Sequence, residues 1–221
     1  MTVEDDGRTR CGWIDQTRLA PADFILYRDY HDTEWGRSLH DSTALFERVS
    51  LEAFQSGLSW LIILRKRDNF RRAFDRFDLE RVARYTDRDV TRLMADTGIV
   101  RNRAKIEATI ANARAAADLD VGLGELLWSF APPPRPRPVD LSQVPAVSPE
   151  SQAMAKELKR RGFKFVGPTT AYALMQATGM VDDHIASCWV PQGRGHLPLA
   201  GASEATRESG RLRRDAPRGA P

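Results

Sequence analysis

Four residues of types that commonly bind metal ions lie near the two ends of this chain: Cys11, His31, His184 and Cys188. His184 and Cys188 are four positions apart, so on a helix both side chains would point to one face. Two thiolates and two imidazoles match the donor set of a closed tetrahedral zinc site. The spacing between Cys11 and His31 fits no standard zinc finger, and two buried thiols with two hydrogen-bonded histidines explain the same residues. Both interpretations stay open on spacing alone.

A second candidate site lies in the stretch Leu51–Trp60, which reads L-E-A-F-Q-S-G-L-S-W. Apolar residues recur at three- and four-residue steps here, which predicts an amphipathic helix from about Ser42 to Ser56. Glu52 falls on or beside the apolar stripe, so its carboxylate must be paired, hydrogen-bonded or functional. Gly57 then signals the end of the helix. The alternative is a core helix with one capping acid and a packing tryptophan.

A third candidate is the segment Leu93–Ala113, in which two predicted helices are joined by a tight turn that contains Gly98. Arg101, Arg103 and Lys105 crowd the N-terminus of the second helix, where free N–H groups and the helix dipole favour an anion. Such cations suit a DNA phosphate. The pattern is typical of a helix-hairpin-helix, and equally of an ordinary helical hairpin with a solvated charged end.

Aromatic residues could form a pocket for a flat heterocycle around Glu52, although each one singly also fits a core position: Trp13, Tyr27, Tyr30, Trp35 and Trp60. Further along, Lys156–Gly167 interleaves five cations with Phe163 and Phe165. This segment could contact a nucleic-acid backbone, for example through Lys164. A charged helix exterior followed by a packing turn explains it equally well.

The elements that must position these residues are predicted to be helices. The chain has 221 residues, of which 42% are hydrophobic and 29% charged, and this is ordinary for a soluble globular protein. Alternating strand patterns are nearly absent, so the predicted class is all-α. The segment Ile14–Asp23 and the proline-rich residues 131–138 are predicted loops. Beyond the helix at Ser42–Ser56, we predict helices at Arg65–Phe77, Asp78–Tyr85, Asp87–Thr97, Arg103–Leu119, Leu123–Phe130, Pro149–Arg161, Thr169–Thr178 and, for a turn or two, Asp182–Val190.

The two ends of the chain are predicted to be loose. Residues 1–10 are expected to form a flexible leader, and residues 191–221, rich in Arg, Pro and Gly, a disordered tail. The leader is acidic and polar, unlike a secretory signal, and no apolar run approaches the roughly 18 residues of a membrane span, so a cytoplasmic location is favoured. The formal charge of +3 is modest. It does not by itself indicate a nucleic-acid binder.

Together these motifs resemble the bacterial 3-methyladenine DNA glycosylases of the constitutive type I kind. The resemblance covers about residues 10–190 and rests on R-C-G-W, Y-H-D-T-E-W-G, L-E-A-F-Q-S-G-L-S-W, G-I-V-R-N-R-A-K-I, W-S-F, K-R-R-G-F-K-F-V-G-P-T-T and V-D-D-H-I-A-S-C. It implies the all-α helix-hairpin-helix glycosylase fold, with a glycosylase domain at 11–190 and the hairpin at about 87–117. It also implies a structural zinc ion whose ligands are Cys11, His31, His184 and Cys188.

The resemblance implies that the protein flips N3-methylated adenine out of double-stranded DNA and hydrolyses its N-glycosidic bond, acting as a monomer in base excision repair. Glu52 and the aromatic residues would form the lesion pocket, where the rings could stack on the cationic base. Gln55, Gly57 and Leu58 could fill the gap left in the duplex.

Asp182 stands where many relatives in the wider superfamily place a catalytic Asp in V-D-x-H. It is a candidate stabiliser of the oxocarbenium-like sugar, and the rival role is an N-cap for a helix bearing His184. Two other function classes stay open. One is a zinc-stabilised DNA-binding module without catalysis, and the other is a glycosylase with an altered lesion range.

Overall fold

Helices supply the regular structure of residues 6–15 and 17–192, the part of the chain that a computed structural model describes. No β-strand occurs within this part, so the all-α prediction is confirmed. None of the helices described is long and apolar enough to cross a membrane. The α-helices are α1 (Pro21–Thr33), α2 (Ser42–Gln55), α3 (Trp60–Ala73), α4 (Leu79–Ala83), α5 (Asp87–Ala95), α6 (Arg103–Ala117), α7 (Leu123–Trp128), α8 (Pro149–Arg160) and α9 (Pro168–Ala177), with short 3₁₀ turns at Asp75–Phe77 and Leu141–Gln143.

Side-chain caps explain where several helices begin. Asp41 accepts a hydrogen bond from the N–H of Ala44 at 2.9 Å and starts α2 at the predicted position. Asp78 caps α4 in the same way, because its carboxylate accepts a hydrogen bond from the N–H of Arg81. Helix α5 begins with a reciprocal capping box formed by Thr86 and Asp89.

Three boundaries depart from the predictions. Helix α1 occupies part of the expected loop, and its start is marked by Pro21 at the first helical position. Helix α3 begins at Trp60 and ends at Ala73, because the three residues Asp75–Phe77 have left-handed φ angles that no α-helix can contain. The segment Asp182–Val190 contains turns and no helix.

Helix α2 lies at the centre of the fold, where it contacts α3, α6, α7 and α9. Its residues from Arg48 to Phe54 are all buried, so every face of this part of the helix is enclosed. Most of its neighbours in the core are apolar, and the rings of Phe54, Phe70 and Phe74 pack with centroids 4.6 to 6.3 Å apart. Glu52 is therefore buried by the position of α2 rather than by a local irregularity.

The N-terminal segment contacts the rest of the fold through Thr9 and Arg10, which lie within the predicted leader. The carbonyl of Thr9 accepts a hydrogen bond from the N–H of Trp189 at 2.9 Å. Arg10 forms an ion pair with Asp32 at 2.7 Å, and its side chain is only 9% exposed. These contacts join the two ends of the described chain. The predicted disordered tail lies outside the described residues apart from Pro191 and Gln192.

Candidate functional site

A cavity of about 410 Å³ opens between α1, α2, the start of α3 and α9. All five aromatic residues singled out in the sequence line it, together with Glu52 and Gln55. The remaining lining residues, which sequence reasoning did not identify, are Leu141, Val144, Ala173, Gln176 and Asp183. The volume lies within the range of small-molecule sites, so one flat ring system can be accommodated.

The aromatic rings form inclined walls rather than a parallel sandwich. Trp13 meets Tyr27 and Trp35 edge-on, with centroids 5.5 and 5.3 Å apart. Tyr30 and Trp60 are 5.4 Å apart at an angle of 45°. A flat ligand would therefore stack on one ring and meet the edges of others, an arrangement that aromatic groups favour.

Glu52 is the unusual group of this cavity. It is 6% exposed, and no group within residues 6–15 and 17–192 donates a hydrogen bond to its carboxylate. Burial raises the pKa of Glu52 to about 8, and the positive charge of Arg48 opposes this rise. The sequence predicted that Glu52 is paired, hydrogen-bonded or functional. Hydrogen bonding is excluded within the described residues, because the carboxylate has no donor there and faces the cavity.

A second carboxylate, that of Asp183, also faces the cavity and is fully hydrogen-bonded. Its two oxygens accept hydrogen bonds from the hydroxyl of Tyr172 at 2.7 Å, the amide of Gln176 at 2.9 Å and the guanidinium of Arg135 at 2.8 Å. The side chain is 1% exposed. Asp183 is thus a fixed part of the cavity wall, with its charge compensated by Arg135.

Asp182, the candidate from the sequence, does not line this cavity. Its carboxylate pairs with Arg137 at 2.8 Å and accepts a hydrogen bond from the N–H of His184 at 3.3 Å. The second contact matches the rival capping role, although no helix follows. The neighbouring residue Asp183 lines the cavity instead.

The two cysteines and two histidines converge in a buried cluster, with their candidate ligand atoms within 4.8 Å of one another. The Sγ atom of Cys188 lies 3.6 Å from Nε2 of His31 and 3.5 Å from Nδ1 of His184. Nδ1 of His184 also lies 3.6 Å from Sγ of Cys11. The cluster forms without the predicted helix, because a turn closed by the Cys188 N–H to Ile185 carbonyl bond brings residues 184 and 188 together.

The surroundings of the cluster suit a cation. Nδ1 of His31 lies 2.8 Å from the Asp32 carboxylate, and Nε2 of His184 lies 3.2 Å from the carbonyl of Trp35, so the opposite nitrogen of each ring is left for a metal. The interaction between the two sulfur atoms raises the pKa of Cys11 and lowers that of Cys188. A cation between them would allow both thiols to ionise, so the four residues could hold a metal ion.

The cluster and the cavity share a wall. The His31 ring lies 5.3 Å from Trp13 and stacks 6.1 Å from Trp35, while His184 meets Trp35 edge-on at 4.7 Å. Trp13 and Trp35 line the cavity on their other sides. Any change that loosens the cluster therefore moves two walls of the cavity.

The turn after α2 projects into solvent beside the cavity. Gly57 has a φ of +78°, which favours glycine, and Leu58 is 38% exposed. Lys105 stabilises this turn from α6, because its Nζ donates hydrogen bonds to the carbonyls of Phe54, at 2.8 Å, and Ser56. Lys105 is only 7% exposed, and its ammonium group is engaged by these two carbonyls; phosphate binding by Lys105 stays a prediction.

The other predicted cations are on the surface. Arg101, Arg103 and Lys164 are exposed. The turn between α5 and α6 is held from α3, since Lys66 and Asn69 donate hydrogen bonds to the carbonyl of Gly98 at 3.2 Å. In the basic segment Lys156–Gly167, the two phenylalanines differ in exposure: Phe163 is buried and Phe165 is 42% exposed.

The fold and the cavity define an all-helical protein that can enclose one flat ring against a buried, unpaired carboxylate. Comparison with known proteins agrees. The family model described as methyladenine glycosylase matches residues 22–191. The chain is 44% identical to the DNA-3-methyladenine glycosylase 1 of Escherichia coli (strain K12) and 40% identical to the DNA-3-methyladenine glycosylase of Haemophilus influenzae. Each match covers 81% of this chain, with 95% and 96% of the two relatives.

Solved structures give the same result. A crystal structure of a 3-methyladenine DNA glycosylase I superimposes with a TM-score of 0.76 at 45% identity, covering 82% of this chain and 98% of that one. The Staphylococcus aureus enzyme, whose structure concerns 3-methyladenine recognition, gives a TM-score of 0.76 at 34% identity, covering 83% and 97%. This chain belongs to the methyladenine glycosylase family.

The burial of Glu52 predicts how stability depends on pH. The folded-state pKa of about 8 lies above the ordinary value of 4.5, so the folded protein holds this proton more tightly than the unfolded chain. The contribution of Glu52 to stability therefore falls as the pH rises from about 4.5 to about 8. Glu52→Gln removes this pH-dependent contribution to the free energy of unfolding. Urea unfolding at pH 5 and pH 8 should show a gain in stability over the parent that grows with pH, and a gain independent of pH would contradict this prediction.

Proposed function

We infer that this protein is a DNA-3-methyladenine glycosylase, which hydrolyses the bond between the modified base and its deoxyribose. The observation that carries this inference is the buried carboxylate of Glu52, which faces an aromatic cavity without a hydrogen-bond partner. Relatives that bear this name match most of the chain. A binding module without catalysis is not favoured, because a binding module has no need for an unpaired acid in a closed cavity.

The chemistry of the substrate explains why the site needs little acid catalysis. A methyl group on N3 makes the adenine ring a cation, so the base is already a good leaving group. The C1′–N9 bond breaks with its electron pair passing to the base, which leaves as neutral 3-methyladenine. Water adds to C1′ of the sugar and releases a proton. The protein must flip the nucleotide out, hold the cationic base and exclude bases without the methyl group.

Glu52 supplies the negative charge that a cationic base needs as a partner inside the cavity. Its carboxylate can accept a hydrogen bond from the amino group of adenine while its ionised form stabilises the positive ring. Trp13, Tyr30 and Trp60 add cation–π attraction from the walls. Unmethylated adenine is neutral, so it gains neither the charge stabilisation by Glu52 nor the cation–π attraction. The protein therefore distinguishes the two bases by their charge.

The two aspartates beside this cavity have supporting roles. Asp183 is engaged by three donors and orients the wall formed by Tyr172 and Gln176. We assign no catalytic role to Asp182, because Arg137 engages its carboxylate away from the cavity.

Zinc is the metal that best fits the Cys/His cluster. A tetrahedral ion with Zn–S bonds of about 2.3 Å and Zn–N bonds of about 2.0 Å separates sulfur from nitrogen by about 3.5 Å. The three sulfur–nitrogen distances of the cluster are 3.5 to 3.6 Å. Four protein ligands leave no open position for substrate, so the ion is structural. It would hold residues 11 and 188 together beside the cavity wall.

DNA binding is assigned to the surface around the cavity. Helices α5 and α6 with their connection correspond to the proposed helix-hairpin-helix, and Arg101 and Arg103 lie at the N-terminus of α6, where a phosphate of double-stranded DNA is favoured. Lys164 is a further candidate for a backbone contact. The turn containing Gln55, Gly57 and Leu58 carries an exposed apolar side chain beside the cavity, which suits a wedge that fills the space of the flipped nucleotide.

The glycosylase domain proposed from the sequence spans 11–190. That boundary, the monomeric state and the cytoplasmic location stay predictions.

Release of free base tests the proposed activity. Chromatography of bases from methylated DNA incubated with the protein should show 3-methyladenine, and Glu52→Gln should lower its single-turnover rate at least about tenfold, as loss of charge stabilisation does. Glu47→Gln is the matched control, because Glu47 lies on the same helix and pairs with Arg71. No release by the parent protein would remove the proposed function, and equal rates in all three proteins would remove the role of Glu52.

Salt dependence tests the assignment of the cations. Arg101→Ala should weaken binding to a DNA duplex and reduce the slope of log affinity against log salt by about one, as loss of one phosphate contact does. Stability should stay the same because Arg101 is exposed. Lys105→Met should instead lower the free energy of unfolding by about 1–3 kcal/mol, since two carbonyls lose their donor. The reverse pattern would mean that the two residues have exchanged roles.

Metal analysis tests the cluster. We expect one zinc ion per chain in protein purified without chelators, and Cys188→Ser should lose the ion and lower the melting temperature. Because Trp13 and Trp35 touch the cluster, excision should also decrease. Arg28→Ser, a change of a partly exposed side chain on the helix that carries His31, serves as the control, because Arg28 pairs with Asp29 and not with the cluster. Protein that is folded, active and free of any metal would contradict the zinc assignment.

A further inference from the structure

A buried arginine lies one helical turn before Glu52 on the same helix. Arg48 is 8% exposed, although arginine side chains are rarely buried without a reason. Its Nη2 donates a hydrogen bond to the Glu34 carboxylate at 2.6 Å. Its Nη1 is buried and has no hydrogen-bond partner within residues 6–15 and 17–192. One terminal nitrogen of the guanidinium is thus hydrogen-bonded to an acid and the other is not, so the ion pair is incomplete.

The charges around Arg48 do not cancel unless Glu52 is ionised. Glu34 forms a two-bonded ion pair with Arg67, at 2.7 and 2.8 Å, and the same carboxylate serves Arg48. Glu47, the other acid whose charge acts on Arg48, is paired with Arg71, so Glu34 is left to serve two cations. The ionised form of Glu52 supplies the missing negative charge, and the protonated form leaves a net positive charge in the interior, which is unfavourable.

The guanidinium of Arg48 also lies against a wall of the cavity. Its Cζ atom is 5.4 Å from the centroid of the Tyr30 ring. Tyr30 in turn packs against Trp60, which also lines the cavity. Arg48 therefore packs against one of the rings that face a bound base and lies one helical turn from the acid, without lining the cavity itself.

We propose that Arg48 is a positioning residue that keeps the Glu52 carboxylate ionised and oriented toward the cavity when a cationic base enters. This inference rests on the proposed function for its purpose. Its physical content, the coupling between Arg48 and Glu52, does not depend on that function. Nη1, which has no hydrogen-bond partner in the part of the chain that the structure describes, is the nitrogen of Arg48 left for this coupling.

Other charged or titratable groups near Glu52 do not supply this effect. Tyr30 and Glu34 approach from α1, and neither adds positive charge. Arg67 approaches from α3 and is engaged by both oxygens of Glu34. Lys105 from α6 is committed to the carbonyls of Phe54 and Ser56. On the α9 side, Asp183 is compensated by Arg135. Arg48 is accordingly the group whose charge lowers the pKa of Glu52 against the effect of burial.

The first experiment needs no substrate. Carboxyl-carbon NMR titration of the full chain, with Glu52→Gln used to assign the resonance, gives the pKa of Glu52. Arg48→Met should raise this pKa by about one unit, since an opposite charge at short range has been removed. Arg48→Lys should restore most of the difference. An unchanged pKa in Arg48→Met overturns the inference, whatever happens to stability.

Glu34→Gln separates this role from a purely structural one. Both Arg48→Met and Glu34→Gln break the ion pair between these residues, so a structural Arg48 predicts similar behaviour. The inference predicts opposite behaviour, because Glu34→Gln leaves the arginine charge in place and should hold or lower the pKa of Glu52. A raised pKa in Glu34→Gln overturns the inference. This variant also serves if Arg48→Met fails to fold.

Single-turnover excision against pH then links the coupling to function. Arg48→Met should lose about tenfold near neutral pH, and the loss should disappear as the pH rises above the new pKa. A loss that is the same at every pH overturns the positioning role. Absence of excision by the parent protein would instead defeat the proposed function, while the NMR result would stand independently.

Discussion

The burial of the Glu52 carboxylate without a hydrogen-bond donor is the constraint on which the site depends. Helix α2 runs through the centre of the fold, and its neighbours surround the acid except where the cavity opens. A charge in such a position is costly, so the empty cavity favours the protonated form. A positively charged ring reverses this preference when it enters. The same desolvation that destabilises the free acid therefore strengthens its attraction for a cation.

Two acids of the cavity show how neighbours assign different roles to the same chemical group. Asp183 accepts hydrogen bonds from three donors, whereas Glu52 accepts none from the residues that the structure describes and stays available. The pairing of Asp183 depends on the proline-rich segment 131–138, which was expected to be an exposed loop. This segment carries Arg135 to Asp183 and Arg137 to Asp182, and its last carbonyl accepts a hydrogen bond from Ala186. The loop is therefore part of the support of the cavity wall.

The sequence revealed those features of the site that follow from local pattern. Glu52 could be singled out because a 3.6-residue period places it on the apolar stripe of α2. The cysteines and histidines of the cluster could be recognised by type, and the resemblance joined them into one set. The roles of Lys105 and Arg48 could not be found, because a basic residue that reaches a buried carbonyl or acid has the same local pattern as one in solvent. Asp182 and Asp183 could not be separated, because no periodicity sets the direction of a side chain in a turn.

The Cys/His cluster joins positions that are 173 residues apart, Cys11 and His184. A metal ion bound there would close nearly the whole described chain into a single loop. Closure of so long a loop removes about 5 kcal/mol of chain entropy from the unfolded state in the usual entropic model for cross-links.

The position of the cluster in the chain also sets an order of events during synthesis. The cluster lacks half of its ligands until residue 188 has left the ribosome, and Trp13 and Trp35 pack against the cluster. An unfinished chain would therefore carry an incomplete cavity, which limits base extraction from DNA to molecules whose synthesis has passed that point.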